Sequence, residues 1–200
     1  LSNILNKNDP SNYGPISLVP VPSKSIEISL NNRLTAFLER TSFLAMHQFG
    51  ARKKRSTADA LRALVGHMVE GLERGESVLA VFCDLLKAFD CMSHQVLLKK
   101  IVYYGISGNS LQIIKYYLVD RFQLVDLDKP KSEALPVSTG VAQISILGPL
   151  LFILYVNELP SQFSDLTSAQ YADDRTLLDP NHNISQLQSV AASTIKKLVC

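Results

Sequence analysis

The chain has 200 residues, 46% of them hydrophobic and 19% charged, enough apolar content for one cored domain or one domain with a small lobe. A formal net charge of +2 excludes a polyanion-binding surface spread over the whole molecule, so any nucleic-acid contact has to be a local patch. Three cysteines without paired spacing, and four histidines at no metal-ligand interval from them, suggest neither a disulfide framework nor a zinc site.

The opening LSNILNKNDPSN carries no secretory pattern and no initiator Met, and the longest apolar run, 150–156, is too short to span a bilayer. The expectation is a soluble intracellular chain, nuclear or cytoplasmic, not secreted and not membrane-bound, cut from something longer.

In chain order, the four prolines of residues 9–22 read as extended, because a residue before proline is pushed out of the helical region. Ser23 is placed to cap a helix with Ile26, Leu30, Leu34, Phe37 and Leu38 on one face. A basic run, 52-RKKR-55, follows in a loop. It leads into 56-STAD-59, a capping box ahead of Leu61, Leu64, Val65, Met68, Val69 and Leu72 at amphipathic spacing, with Arg74 and Gly75 as the stop. The unbroken apolar run 78-VLAVFC-83 predicts a central strand buried on both faces and closed by Asp84. Helices are expected over 93–104, ended by Gly105, and over 109–119. Residues 122–127 and 134–138 have the pattern of a hairpin. In 148-GPLLFILYVNEL-159 the composition predicts a buried helix with Pro149 in its first turn. The stretch 168-SAQYADDRTLL-178 gives two short strands around a turn holding Asp173 and Asp174, and a last helix begins near Ser185. This order predicts an α+β fold with a mainly antiparallel sheet.

If the strands ending at Asp84 and at the Asp173–Asp174 turn are neighbours, three carboxylates converge. Packed anions recruit cations, and oxygen donors suit a divalent metal. Two Mg²⁺ ions about 4 Å apart can activate a hydroxyl and steady a leaving pyrophosphate without a histidine or cysteine nucleophile. Taken singly, Asp84 is equally well explained as a turn residue at a strand end, and the Asp173–Asp174 pair as a solvated turn.

Five blocks in order carry a resemblance: NYGPISLVPVPSKSIE, QFGARKKRSTADAL, VFCDLLKAFDCMSHQVLLKKIVYYGISGNSL, STGVAQISILGPLLFILYVNELP and YADDRTLL. Over residues 12–178 the chain resembles the fingers and palm of reverse transcriptases of non-LTR (LINE-type) retrotransposons. The resemblance implies a right-hand polymerase with an antiparallel palm sheet backed by helices and no thumb, with 1–77 fingers-like and 78–200 palm-like, interleaved in one domain. It implies RNA-directed DNA polymerase activity: dNTP added to a DNA primer 3′-OH on an RNA template with two Mg²⁺, for which Mn²⁺ can substitute. By position, Asp84, Asp173 and Asp174 match the catalytic acids, with Asp84, Asp173 and the Leu85 carbonyl on metal. Phe89 matches the gate against a 2′-OH; Ala88 and Gln143 lie by the incoming nucleotide. Arg52, Lys53, Lys54 and Arg55 fall where the fingers approach template or phosphate. Other domains of a parent polyprotein, such as an endonuclease, are implied partners.

Several positions depart from the family pattern. Gly14 stands where NYRPISL has the arginine that grips the triphosphate, a contact whose loss costs on the order of 10²- to 10³-fold in rate. Ile144 stands for the second glycine of GVPQGS, where a β-branched residue restricts the backbone and adds bulk. Ala51 and Lys54 stand for an aromatic and a glycine in QFGFRKG. The pattern is that of a decayed copy with weak or no activity. The alternative is a non-catalytic nucleic-acid-binding remnant. A two-metal hydrolase, which shares the acids, ranks third.

Overall fold

The computed structural model describes residues 18, 20–84, 88–126, 131–142, 144–159, 166–181 and 183–199. The first helix, α1 (Val21–Arg40), starts earlier than the proline pattern predicts: Pro20 is its N-cap and Pro22 lies in its first turn. A first-turn proline lacks only an N–H that would have no helical partner anyway. Ser23 is therefore inside the helix. Its buried face holds Glu27, Leu34, Thr35 and Leu38, whereas Ile26 is turned to solvent.

Helix α2 (Thr57–Glu73) has the expected capping box, with Asp59 N–H donating to Ser56 Oγ and Ser56 N–H donating to Asp59 Oδ2. Its orientation differs from the expected one. Ala60 and Gly71 are the buried positions, while Leu61, Val65, Val69 and Leu72 are exposed. The helix lies close to the sheet, and only small residues fit there: a Cβ on Gly71 would come within 2.9 Å of the Pro180 Cβ.

After β1 (Ser77–Cys83), α3 (His94–Tyr103) and α4 (Gly108–Leu118) come where the caps place them, with Ser93 Oγ accepting from Val96 N–H and Gly105 at φ +81°. A small hairpin, β2 (Arg121–Gln123) and β3 (Leu135–Val137), forms as expected. Helix α5 (Gly148–Val156) is buried along almost its whole length, as its apolar composition requires. Then come β4 (Thr167–Tyr171), β5 (Asp174–Asn181) and α6 (Ile184–Val199). The fold is α+β: an antiparallel sheet in the order β1-β5-β4, flanked by helices, beside a core built from α1, α3, α4 and α5.

The run 78–83 is not a central strand. β1 lies at one side of the sheet and is half-buried, with Phe82 74% exposed, and β5 is the middle strand. An unbroken apolar run carries no periodicity to tell its two faces apart, so the open face around Phe82 left no trace in the pattern. On the far side, residues 47–49 run parallel to β4: Phe49 N–H donates to Gln170 O and Gln170 N–H donates to His47 O, each at 2.8 Å.

These placements separate two leucines that sequence spacing puts on core faces. Leu38→Ala, at a fully buried site, should cost about 2–5 kcal/mol of unfolding free energy. Leu61→Ala should change it by no more than about 0.5 kcal/mol. Urea melts of the two variants measure the difference, and equal losses would mean that the orientation of α2 is wrong.

Candidate active site

The acids are placed by strand register. Cys83 pairs with Arg175 across β1 and β5, so the next residue, Asp84, lies beside Asp174. Tyr171 pairs with Asp174, leaving Ala172 and Asp173 as a two-residue loop. All three acids therefore stand at one end of the sheet. Alternation puts Phe82, Thr176, Asp84 and Asp174 on the same face. Asp84 and Asp174 are exposed and Asp173 is half-buried. Among the described residues no three His, Cys, Asp or Glu side chains are gathered at metal-ligating distance, and Leu85 lies outside the described residues. The donor set, carboxylates on adjoining backbone, fits a hard divalent cation.

The loop that carries Asp173 is held from both sides. Ala172 adopts φ +54°, a conformation that costs a non-glycine residue on the order of 1–3 kcal/mol and persists only where the surroundings impose it. Gln170 Nε2 donates to Ala172 O at 3.1 Å. Gly50 is pressed against the same loop: a Cβ there would sit 2.3 Å from Ala172 N. Gly50 N–H in turn donates to the buried Gln48 side chain at 2.9 Å. The QFG segment thus forms the wall behind the aspartates.

A second pair of segments meets at Gly140. Gly140 N–H donates to Met92 O at 2.8 Å, and Val141 N–H donates to Phe89 O at 2.9 Å. His94 Nε2 lies 2.7 Å from Gly140 O; a carbonyl only accepts, so this nitrogen carries the proton. Gly140, at φ +76°, has no room for a side chain, since a Cβ would come 2.7 Å from Phe89 O. The half-buried Phe89 ring packs 4.7 Å from Phe152, and Ala88 is half-buried next to it. Gln143 lies outside the described residues. Ile144 is described, and its side chain is 49% exposed. On the opposite face from Asp84, burial pushes the Cys83 thiol up from its ordinary value, partly offset by Arg175, which leaves it a poor nucleophile.

The basic run divides. Arg52 was expected at template or phosphate, but it is built into the protein. Its guanidinium donates to both Glu39 oxygens, at 2.9 and 2.6 Å, and to Ala45 O at 2.9 Å, with only 9% of the side chain exposed. The cause is long-range: the α1 carboxylate lies where the loop returns. Arg55 stacks 5.1 Å over the Phe49 ring and donates to Met46 O. Lys53 and Lys54 are exposed. Ala51 at φ +51° and Lys54 at φ +61° take left-handed conformations, which accounts for a glycine at the second of these in the family block.

Glu27 was not singled out from sequence, yet it is 2% exposed and its Oε2 accepts from the N–H groups of Ile146 and Leu147 at 2.7 and 3.2 Å. Its signal was a carboxylate in register with Leu34 and Leu38 on the buried face of α1.

Residues 5–198 match the family described as reverse transcriptase (RNA-dependent DNA polymerase), and the chain belongs to that family. Its similarity runs to mobile elements. It is 34% identical over 185 residues to a probable RNA-directed DNA polymerase from transposon BS of Drosophila melanogaster, covering 86% of this chain and 20% of that protein. It is 31% identical over 183 residues to the RNA-directed DNA polymerase from mobile element jockey of the same species, covering 88% and 20%. The chain thus spans a fifth of the length of these relatives. Its fold is similar to part of telomerase from Candida albicans, with a TM-score of 0.62 at 16% identity over 87% of this chain and 32% of that one. Telomerase from Candida tropicalis gives 0.60 at 14% identity, over 84% and 33%. The resemblance to non-LTR retrotransposon reverse transcriptases and the fingers-and-palm fold class are borne out. The family works with divalent metal ions on a nucleic-acid template and primer.

The Glu39–Arg52 pair gives a pH test. The Arg52 hydrogen bonds hold the Glu39 carboxyl below its ordinary value, against the opposing effect of burial. A depressed folded-state pKa contributes stability that is present above the ordinary carboxylate range and lost as pH falls through the lowered value. Glu39→Gln should destabilise at pH 7 by more than the roughly 1 kcal/mol of an exposed pair, because Arg52 is left buried. The deficit should shrink steadily in acid. Chemical melts from pH 7 to pH 3 measure it, and a deficit independent of pH would contradict the assignment.

Proposed function

We propose that this chain is the fingers-and-palm part of an RNA-directed DNA polymerase that transfers nucleotides from dNTPs to a DNA primer 3′-OH on an RNA template. The observation that carries this reading is the β1–β5–β4 register, which sets Asp84 beside Asp173 and Asp174 at one sheet end. In this reading Asp84, Asp173 and the Leu85 carbonyl hold two Mg²⁺ ions, or Mn²⁺ in their place. Asp174 supports the site and the primer end. Bound there, the ions would activate the primer hydroxyl and stabilise the leaving pyrophosphate. Phe89, braced by Phe152, sets a ring under the sugar and excludes a 2′-OH, with Ala88 and Gln143 along the nucleotide. The open sheet face around Phe82 is left for the primer–template duplex. Lys53 and Lys54 carry the charge available to nucleic acid, together with whatever Arg55 can reach; Arg52 serves as their internal support.

The division into fingers-like 1–77 and palm-like 78–200 belongs to the same reading, and residues 47–50 and α2 make the two interleave at the sheet. Endonuclease or other domains of a parent polyprotein are its proposed partners. Among the described residues no helix is long and apolar enough to cross a membrane.

A second reading, a nucleic-acid-binding remnant without catalysis, is favoured by Gly14 and by the bulk of Ile144. Incorporation of dNTPs on an RNA template with a DNA primer separates the two. We expect the native chain to be slower by about 10²- to 10³-fold than a Gly14→Arg, Ile144→Gly variant, and Asp173→Asn to abolish the activity of both. Incorporation that survives Asp173→Asn would remove the polymerase reading. Salt-sensitive RNA binding with no incorporation in any variant would put the remnant in its place.

A further inference from the structure

Helix α5 has no cap of its own. Its N-cap residue is Leu147, which has no side chain able to accept a hydrogen bond, and its first turn contains no acidic residue. The free N–H groups at its entrance are met from elsewhere. Ser145 Oγ accepts from Gly148 N–H at 2.9 Å, and Glu27 Oε2, reaching across from α1, accepts from Ile146 and Leu147. A negative charge at a helix N-terminus is favoured by the aligned peptide dipoles. Glu27 nevertheless remains an expensive device. It is 2% exposed, and its Oε1 has no hydrogen-bond partner among the described residues. Burying a carboxylate is costly, and what offsets that cost here is the two amides it accepts from.

What Glu27 touches gives a reason for the carboxylate. The amides it holds follow directly on the 140–145 loop. One end of that loop is tied to the Phe89 segment through Gly140 and Val141, and its other end is Ser145, itself 5% exposed. Gly140 and Val141 are thus anchored to residues 89–92, and Ile146 and Leu147 to α1. We propose that Glu27 is a positioning residue for the nucleotide-binding loop, fixing through the Ile146 and Leu147 amides where Ile144 and Ser145 stand relative to Phe89. This rests on the polymerase reading for the identity of the ligand. The geometric part of the claim, that Glu27 holds the loop, is independent of it.

Two substitutions separate positioning from packing. Glu27→Met keeps the volume and removes the acceptor; Glu27→Gln keeps one acceptor oxygen and removes the charge. Hydrogen–deuterium exchange of the 141–150 segment should rise by about tenfold or more in Glu27→Met and return towards native in Glu27→Gln. The 167–181 hairpin should be unchanged, and the melting temperature of Glu27→Met should fall by no more than a few degrees. Equal exchange in all three proteins overturns the claim, as does an increase spread evenly over the chain.

A second arm reads the consequence, using the chain with an RNA–DNA template–primer and Mg²⁺–dNTP. Glu27→Met should weaken dNTP binding by about tenfold and leave template–primer affinity unchanged. Loss of both together would mean a folding defect and would overturn the proposal. Asp173→Asn is the control. If it leaves dNTP binding untouched, the polymerase reading fails, and exchange still decides whether Glu27 holds the loop.

Discussion

Everything in the candidate site depends on a single register, Cys83 opposite Arg175, between β1 and β5. Side chains alternate along a strand, so a slip of one residue would turn Asp84 to the opposite face and leave Asp174 with a cysteine for a neighbour. The register is fixed by what each face has to bury. Leu177 and Leu178 are both almost wholly buried in β5, and Gly71 of α2 allows the helix to come down on Val78 and Pro180 at the far end of the same ladder. The exposed Phe82 lies on the Asp84 face. Packing at the Val78 end and openness at the Phe82 end of that same face thus come from one alignment.

Around this ladder, the chain fixes its loops by close backbone approach rather than by large side chains. Gly50 against Ala172 and Gly140 against Phe89 and Asp90 are contacts that no Cβ permits. Each draws together segments that are far apart in sequence. The QFG segment backs the aspartate loop and lets Ala172 keep a left-handed conformation, and the 139–141 segment pins residues 89–93. Rigid surroundings of this kind are what a reaction needing reacting atoms held about 3 Å apart requires of its scaffold.

Much of this was legible in the sequence wherever the signal is local. The capping box at Ser56, the stop at Gly105, the buried α5 and the two-strand pattern around Asp173 and Asp174 each depend on residues a few positions apart, and each forms as read. The misreadings share a cause. β1 looked central because an apolar run has no faces. The Leu61–Leu72 stripe looked like a core face because spacing cannot show that a neighbouring sheet demands Ala60 and Gly71 instead. Arg52 looked like a phosphate ligand because its partner, Glu39, is 13 residues away on another element. Glu27 passed unnoticed because the amides it caps lie some 120 residues further along the chain. Tertiary partners of polar groups were the part that the linear pattern concealed.

The convergence of Asp84, Asp173 and Asp174 into one cation site is the central claim, and paramagnetic broadening by Mn²⁺ tests it without requiring turnover. In a titration of the native chain followed by amide NMR, signals from residues 82–84 and 171–176 should broaden first and together. Asp173→Asn should need a much higher Mn²⁺ concentration for the same effect. Broadening of only one of these two segments, or onset at acids elsewhere that Asp173→Asn leaves unmoved, would contradict the shared site.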